Sequence, residues 1–238
     1  MKQRIWELDA LRGLCILGMI AVHFIFDLVE LYGLISWQYP PIFSLIMNWG
    51  GVLFILISGI CATLGSRSLR RGLIVFGCGM LCTLVTVALY LLDFADFSVV
   101  IQFGVLHCLG LCMILWPLFR RLPPWALAMI GCVLVITGLI FRSLTVRMPL
   151  LFPLGLITES FYSADYFPLL PYLGFFLLGA FIGRTVYRKG ISLLPRAKTN
   201  NPILGFLQFI GRQSLIIYLL HQPVLTLLFS IIMLFLKP

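Results

Sequence analysis

Charged side chains are scarce in this sequence. They make up 11% of its 238 residues, whereas soluble domains carry about a quarter. The residues are 61% hydrophobic and the mean hydropathy is +1.10, so a soluble globular fold is excluded. Acidic residues are scarcer still, eight against 17 lysines and arginines. Internal repeats and low-complexity tracts are also missing, which leaves one apparent domain over 1–238. Histidine occurs only three times, which limits metal sites. The seven cysteines, Cys15, Cys61, Cys78, Cys82, Cys108, Cys112 and Cys132, all fall in apolar runs. Cys78/Cys82 and Cys108/Cys112 are spaced for one helix face, but without further ligands nearby they read as small buried hydrophobes, and no metal is expected.

What the sequence has instead is apolar length. A helix needs about 20 apolar residues to cross the hydrocarbon core. Seven stretches qualify, approximately 10–34, 42–65, 72–92, 98–119, 124–141, 168–187 and 212–236, with a partial helix from Ile203 ahead of the last. The expected fold is an all-α polytopic membrane protein of about seven transmembrane helices around a central polar tunnel, embedded in a lipid bilayer. Basic residues alternate between loops. Lys2 and Arg4 precede the first span, Arg67, Arg70 and Arg71 follow the second, and Arg120 and Arg121 follow the fourth; Arg184, Arg188, Lys189, Arg196 and Lys198 follow the sixth. The opposite loops hold Arg142, Arg147 and Lys237 together with Asp93, Asp96, Glu159 and Asp165. This places the N-terminus in the cytoplasm and the C-terminus outside. The net charge of +9 follows from that topology, and no nucleic-acid partner is called for.

The N-terminal run is flanked like a secretory signal. Glu7, Asp9 and Arg12 interrupt it, no small-residue cleavage site follows, and it is too long, so a retained helix is expected. The outer loop from Arg142 to Tyr166 is too apolar for a solvated linker and reads as a re-entrant or interfacial cap. The basic segment from Arg188 to Leu204 reads as a cytoplasmic connection.

The first span carries an unusual polar stripe. Arg12 and His23 lie eleven residues apart, close to three helical turns, and Asp27 and Glu30 fall near the same line. Ionisable groups in a membrane helix cost a few kcal/mol or more each and face a protein interior or a watery cavity. Asp27 lies one turn beyond His23, where a carboxylate can hold the imidazole tautomer and raise its basicity. Further intruders are His107 in the fourth span, Asp165 at the outer mouth of the sixth, and Arg212, Gln213, Ser214, Tyr218, His221 and Gln222 in the seventh. Ser214, Tyr218 and His221 share one helix face, and Pro223 leaves a carbonyl near Leu219 without its donor. A lone membrane histidine often serves as an interhelical hydrogen-bond partner, and that reading stands beside a site role for His107 and for His221. Arg67, Arg70 and Arg71 read equally well as topology signals. By residue content alone, a proton-coupled small-solute transporter and a haem or quinone protein remain open beside an enzyme.

The motifs themselves resemble a known group. Leu8-Asp9-x-Leu11-Arg12-Gly13 with His23 downstream resembles the first-helix signature of transmembrane acyltransferases, including the acyltransferase-3 enzymes of bacterial surface polysaccharides. The likeness continues through Phe54-Ile55-Leu56-Ile57-Ser58-Gly59 and closes with Gly211-Arg212-x-Ser214-Leu215-x-x-Tyr218-Leu219-Leu220-His221-x-Pro223. Chain length, Gly104-Val105-Leu106-His107 and Asp165-Tyr166-Phe167-Pro168-Leu169-x-Pro171 look more like small bacterial relatives of heparan-alpha-glucosaminide N-acetyltransferase. The chain departs from both groups. It has fewer spans than acyltransferase-3 proteins, and the lysosomal enzyme has asparagine at the position of His23.

The resemblance implies a multi-pass acetyltransferase of a bacterial inner membrane. Acetyl-CoA would be the cytoplasmic co-substrate and a hydroxyl or amine, most fittingly on a carbohydrate, the extracytoplasmic acceptor. In that reading His23 and Asp27 are catalytic, and Arg12, Arg67, Arg70, Arg71 and Arg212 bind coenzyme A. His107, Asp165, Ser214, Tyr218 and His221 line the substrate site. His23 lies about 16 Å along the helix from Arg12, comparable to a pantetheine arm. Oligomeric state stays open between monomer and homodimer.

Overall fold

In a computed structural model, residues 5–194 and 201–236 are described. Lys2, Arg4, Arg196, Lys198 and Lys237 of the charge argument lie outside them. Among the described residues eight α-helices follow one another: α1 (Trp6–Phe26), α2 (Pro41–Leu64), α3 (Ser68–Leu91), α4 (Val105–Phe119), α5 (Pro124–Phe141), α6 (Leu169–Thr185), α7 (Pro202–Arg212) and α8 (Ser214–Leu236). α1 runs on into one π-helical turn, Asp27–Leu31. There are no strands among the described residues, only two isolated bridges. α1 with its π turn, α2, α3, α5 and α8 are long and apolar enough to cross a membrane, while α4 and α6 are shorter apolar helices. The protein is a multi-pass membrane protein.

The helices group into two compact units. One takes the chain up to Phe54 and from Ile191 onward; the other takes Ile55–Gly190, so α2 contributes to both.

In the first unit, α1 opens with Glu7 and Asp9 in its first turn, where the positive end of the helix dipole favours acids. Glu7 is 7% exposed. It accepts hydrogen bonds from Ser192 Oγ (2.8 Å) and the Leu193 amide (2.7 Å), and the Trp6 indole donates to the Leu194 carbonyl. These bonds tie the end of the basic connection to α1. α7 starts as its sequence directs: Asn201 Oδ1 accepts from the Ile203 amide and Pro202 occupies the first helical position. α7 then packs on α1 through glycines. A Cβ at Gly13 would overlap the Leu207 carbonyl, and one at Gly211 the Asp9 carbonyl. Small residues permit such close backbone approach, so both motif glycines are packing contacts. α8 is clamped to the end of α1 by aromatic rings. Tyr32 stacks on fully buried Phe229 at 4.9 Å, and Phe24 lies 5.3 Å from the same ring.

In the second unit, α3 packs with α4 and α5 with α6, and α4 also meets α6. Gly131 and Gly174 bring α5 and α6 into backbone contact. α4 begins seven residues later than the 98–119 span predicts. The reason is that Val100–Gly104 pairs with the outer loop instead of coiling. The Ala164 amide donates to Val100 O and the Phe167 amide to Phe103 O, both at 2.9 Å. Gln102 adds bonds to Ser163 Oγ and the Tyr162 carbonyl. The loop also carries a 3-10 turn, Pro149–Leu154, and Tyr166 donates its hydroxyl to the Phe152 carbonyl. Burial pushes the Tyr166 phenol well above its ordinary pKa, opposed by Arg142, which keeps it a donor. At the other end of this unit Arg184 donates to the Leu122 and Arg120 carbonyls and lies over the Trp116 ring at 5.5 Å. One of the basic residues of the topology pattern therefore also closes the α4–α5 turn.

Candidate functional site

The polar residues predicted from sequence divide between the two units. His23, Asp27, Ser214, Tyr218, His221, Arg12 and Arg212 belong to the first; His107, Asp165, Arg67, Arg70 and Arg71 belong to the second.

In the first unit α1 and α8 bring two imidazoles together. The rings of His23 and His221 lie 4.9 Å apart, inclined at 54°. His221 also contacts the Tyr218 ring, 5.2 Å away, one turn back on α8. His221 Nδ1 sits against the Tyr218 carbonyl. A carbonyl only accepts, so Nδ1 carries the proton and Nε2 of the neutral ring holds the lone pair. Neutral His221 therefore has no further N–H for a developing oxyanion. His23 is half-buried, and among the described residues neither of its ring nitrogens has a hydrogen-bond partner. An open imidazole beside a second one is equipped for proton transfer.

The sequence spacing pairs Asp27 with His23, and the structure corrects that pairing. Asp27 is 1% exposed. Gln222 Nε2 donates to both its carboxylate oxygens, at 3.1 and 3.0 Å, and no hydrogen bond joins Asp27 to His23 among the described residues. The backbone stays α-helical up to this point, the Asp27 amide donating to the His23 carbonyl, and the Gln222 amide on α8 takes the carboxylate instead. Beyond Asp27 the helix gives way to π geometry, shown by the Tyr32 amide bonding to Asp27 O. π turns of this kind often occur at functional sites. Gln222 counts among the polar intruders of the last span, but the sequence reading gives it no site role. It stands directly after His221, but the i,i+4 spacing had already assigned the carboxylate a partner. Glu30, the last of the sequence stripe, is exposed.

Arg12 is half-buried on α1, with Nε buried and without a hydrogen-bond partner among the described residues. Arg212 is exposed, and its Nε donates to the Gln208 carbonyl in the last turn of α7. Ser214 opens α8.

In the second unit His107 is 2% exposed and both ring nitrogens are engaged. Nδ1 accepts from the Gly104 amide and Nε2 meets Thr83 Oγ1, each at 3.2 Å. The amide must donate, so Nε2 carries the proton and donates to the threonine. Phe103 stacks on the ring and Phe76 meets it edge-on. Asp165 Oδ2 accepts from the Val105 amide at 3.0 Å. Together His107 and Asp165 satisfy amides at the start of α4 that have no partner inside the helix. Arg67 precedes α3, Arg70 and Arg71 lie in its first turn, and all three are exposed. None of the seven cysteines forms a disulfide.

Helices of this length and hydropathy, with an imidazole pair and a buried carboxylate–amide pair between two of them, define a polytopic membrane protein with a polar intramembrane site. A family model described as heparan-alpha-glucosaminide N-acetyltransferase, catalytic, matches residues 4–223, and the chain belongs to that family. The family is one of acetyltransferases. No curated protein and no solved structure matches the chain.

Proposed function

We propose that the protein transfers an acetyl group from cytoplasmic acetyl-CoA to a hydroxyl or amine on the far side of the membrane, with a carbohydrate as the fitting acceptor class. The observation that carries this reading is the open imidazole of His23 beside His221, within the residues the family model matches. The basic loops support an N-terminus inside, which puts Arg12 toward the cytoplasmic end of α1.

The arginines suit a phosphorylated donor. Arg12 has a buried Nε with no hydrogen-bond partner among the described residues, and guanidinium groups bind phosphate by charge-assisted, bidentate hydrogen bonds. Arg70 and Arg71, in the first turn of α3, add charge where a helix N-terminus already favours anions. On the acceptor side, His23 takes the proton from the attacking hydroxyl or amine at a ring nitrogen, a step contributing about 10²–10⁴-fold. His221 keeps its own Nδ1 proton on the Tyr218 carbonyl and offers Nε2 as a second acceptor. Tyr218 and Ser214, on this face of α8, carry hydroxyls of the kind that stabilises a developing oxyanion. Asp27, held by Gln222, acts as a positioning residue.

The test is acetyl-CoA binding and thiol release by the purified protein in a bilayer. The expected result is saturable binding that weakens with salt, and turnover that depends on His23. A folded protein that neither binds nor cleaves acetyl-CoA overturns the reading, and solute movement into sealed vesicles without acetyl-CoA would replace it with a carrier.

A further inference from the structure

We infer that Gln222 recognises the acetyl acceptor: its side-chain carbonyl accepts a hydrogen bond from a second O–H or N–H adjacent to the group that is acetylated, and Asp27 locks it in that orientation. The inference rests on the acetyltransferase reading and adds a substrate class to it, namely vicinal diols, amino alcohols and amines, as against isolated hydroxyls.

Two observations carry it. The first is the fixed sense of the amide. Gln222 Nε2 is within hydrogen-bond distance of both oxygens of Asp27, and an ionised carboxylate only accepts. The nitrogen end therefore faces Asp27, and the amide cannot turn over without losing both bonds. The second is what that orientation leaves. Gln222 Oε1 is buried and has no hydrogen-bond partner among the described residues, a costly state for a carbonyl that cannot reach water. The side chain follows His221, whose ring faces His23, and its Asp27 partner lies one turn beyond His23.

The chemistry of the two substrates decides which one supplies the donor. An acetyl thioester and a phosphate offer acceptors at the reacting end. The acceptor molecule brings O–H and N–H groups. An attacking hydroxyl has one proton, and that proton goes to His23. A donor for Gln222 must then come from a neighbouring group, or from the second N–H of an amine. A site with a buried acceptor discriminates against an analogue lacking the matching donor, because the analogue leaves the site unpaired.

The experiment compares three small probes in bilayer nanodiscs with acetyl-CoA: trans-cyclohexane-1,2-diol, trans-2-aminocyclohexanol and cyclohexanol. Each is followed by thiol release and product mass. The wild-type protein is expected to favour the diol and the amino alcohol over cyclohexanol by at least about 10-fold in kcat/KM. Gln222→Met removes the carbonyl, and Asp27→Asn, which keeps the shape, lets the amide turn over. Both are expected to bring the ratio to about one, whatever they do to the absolute rate. General damage to the fold lowers all three probes together and leaves the ratio unchanged. A wild-type ratio near one, or variants that keep the wild-type ratio, overturns the inference while leaving the acetyltransferase reading intact. No acetyl-CoA cleavage by wild-type protein with any probe overturns that reading beneath it.

Discussion

His23 and His107 are the same side chain set in two apolar helices, and their surroundings differ in one respect that separates their roles. His107 has used its hydrogen-bonding capacity. One ring nitrogen accepts from the Gly104 amide, the other donates to Thr83, and Phe103 and Phe76 cover the ring. It acts as a cap for α4. Neither ring nitrogen of His23 has a hydrogen-bond partner among the described residues, and its ring neighbour is a second imidazole. Both lie on apolar helices, and that does not distinguish them. Unused hydrogen-bonding capacity does, because a satisfied buried group holds structure whereas an unsatisfied one awaits a partner.

The comparison breaks most sharply on replacing each histidine. His23→Ala is expected to lower acetyl transfer by about 10²–10⁴-fold while the unfolding midpoint in detergent stays near wild type, as read by turnover and thermal unfolding of the same sample. His107→Ala is expected to do the reverse. It leaves the Gly104 amide without its acceptor and removes a covered ring, costing about 1–3 kcal/mol of stability, with turnover per folded molecule largely retained. Near-equal losses of activity in the two variants would erase the distinction.

The arginines offer a second form of the same contrast. Arg12 has a buried Nε without a hydrogen-bond partner among the described residues, whereas Arg67, Arg70 and Arg71 are exposed. Isothermal titration with acetyl-CoA is expected to show a loss of about 2–5 kcal/mol for Arg12→Ala and little for any one of the three exposed residues. Arg212, exposed and partly held by Gln208, is expected to behave like the exposed three.

The smallest expected effects concern the scaffold. Gly13→Ala drives a methyl into the Leu207 carbonyl and is expected to cost about 1–3 kcal/mol through displacement of α7. Gly18→Ala, with open space around it on the same helix, is expected to change stability by less than about 0.5 kcal/mol. Thermal unfolding of the pair reads the difference, and equal behaviour would mean that α1 and α7 do not pack through these glycines.

Much of this architecture is legible from hydropathy, because period and length alone locate helices. α2, α5 and α6 lie within about two residues of their sequence-predicted bounds, and the partial helix at Ile203 is α7. α4 was harder. Val100–Gly104 is mostly apolar, with Gln102 its one polar side chain, and its pairing with Ala164–Phe167, about sixty residues on, shows that it is extended. The site was half legible. A histidine and a carboxylate in one membrane helix announce a functional face, and His221 follows from the polar face of α8. The hydrogen-bond partner of Asp27 could not be read, because Gln222 stands on another helix far along the sequence, whereas i,i+4 spacing supplies a nearer candidate on α1. Glycine roles were similarly hidden: Gly13 and Gly211 sit within motif sequences, yet each faces a backbone carbonyl of another helix.

The most direct test of the central distinction is site-resolved modification of the folded protein with diethyl pyrocarbonate, which attacks neutral imidazole nitrogen. Peptide mass spectrometry would follow each histidine while acetyl transfer is measured on the same aliquots. The account predicts that His23 is modified in step with the loss of transfer, that acetyl-CoA slows its modification, and that His107 stays unmodified until the protein unfolds. Modification of His107 ahead of His23, or full activity after His23 is modified, would contradict it.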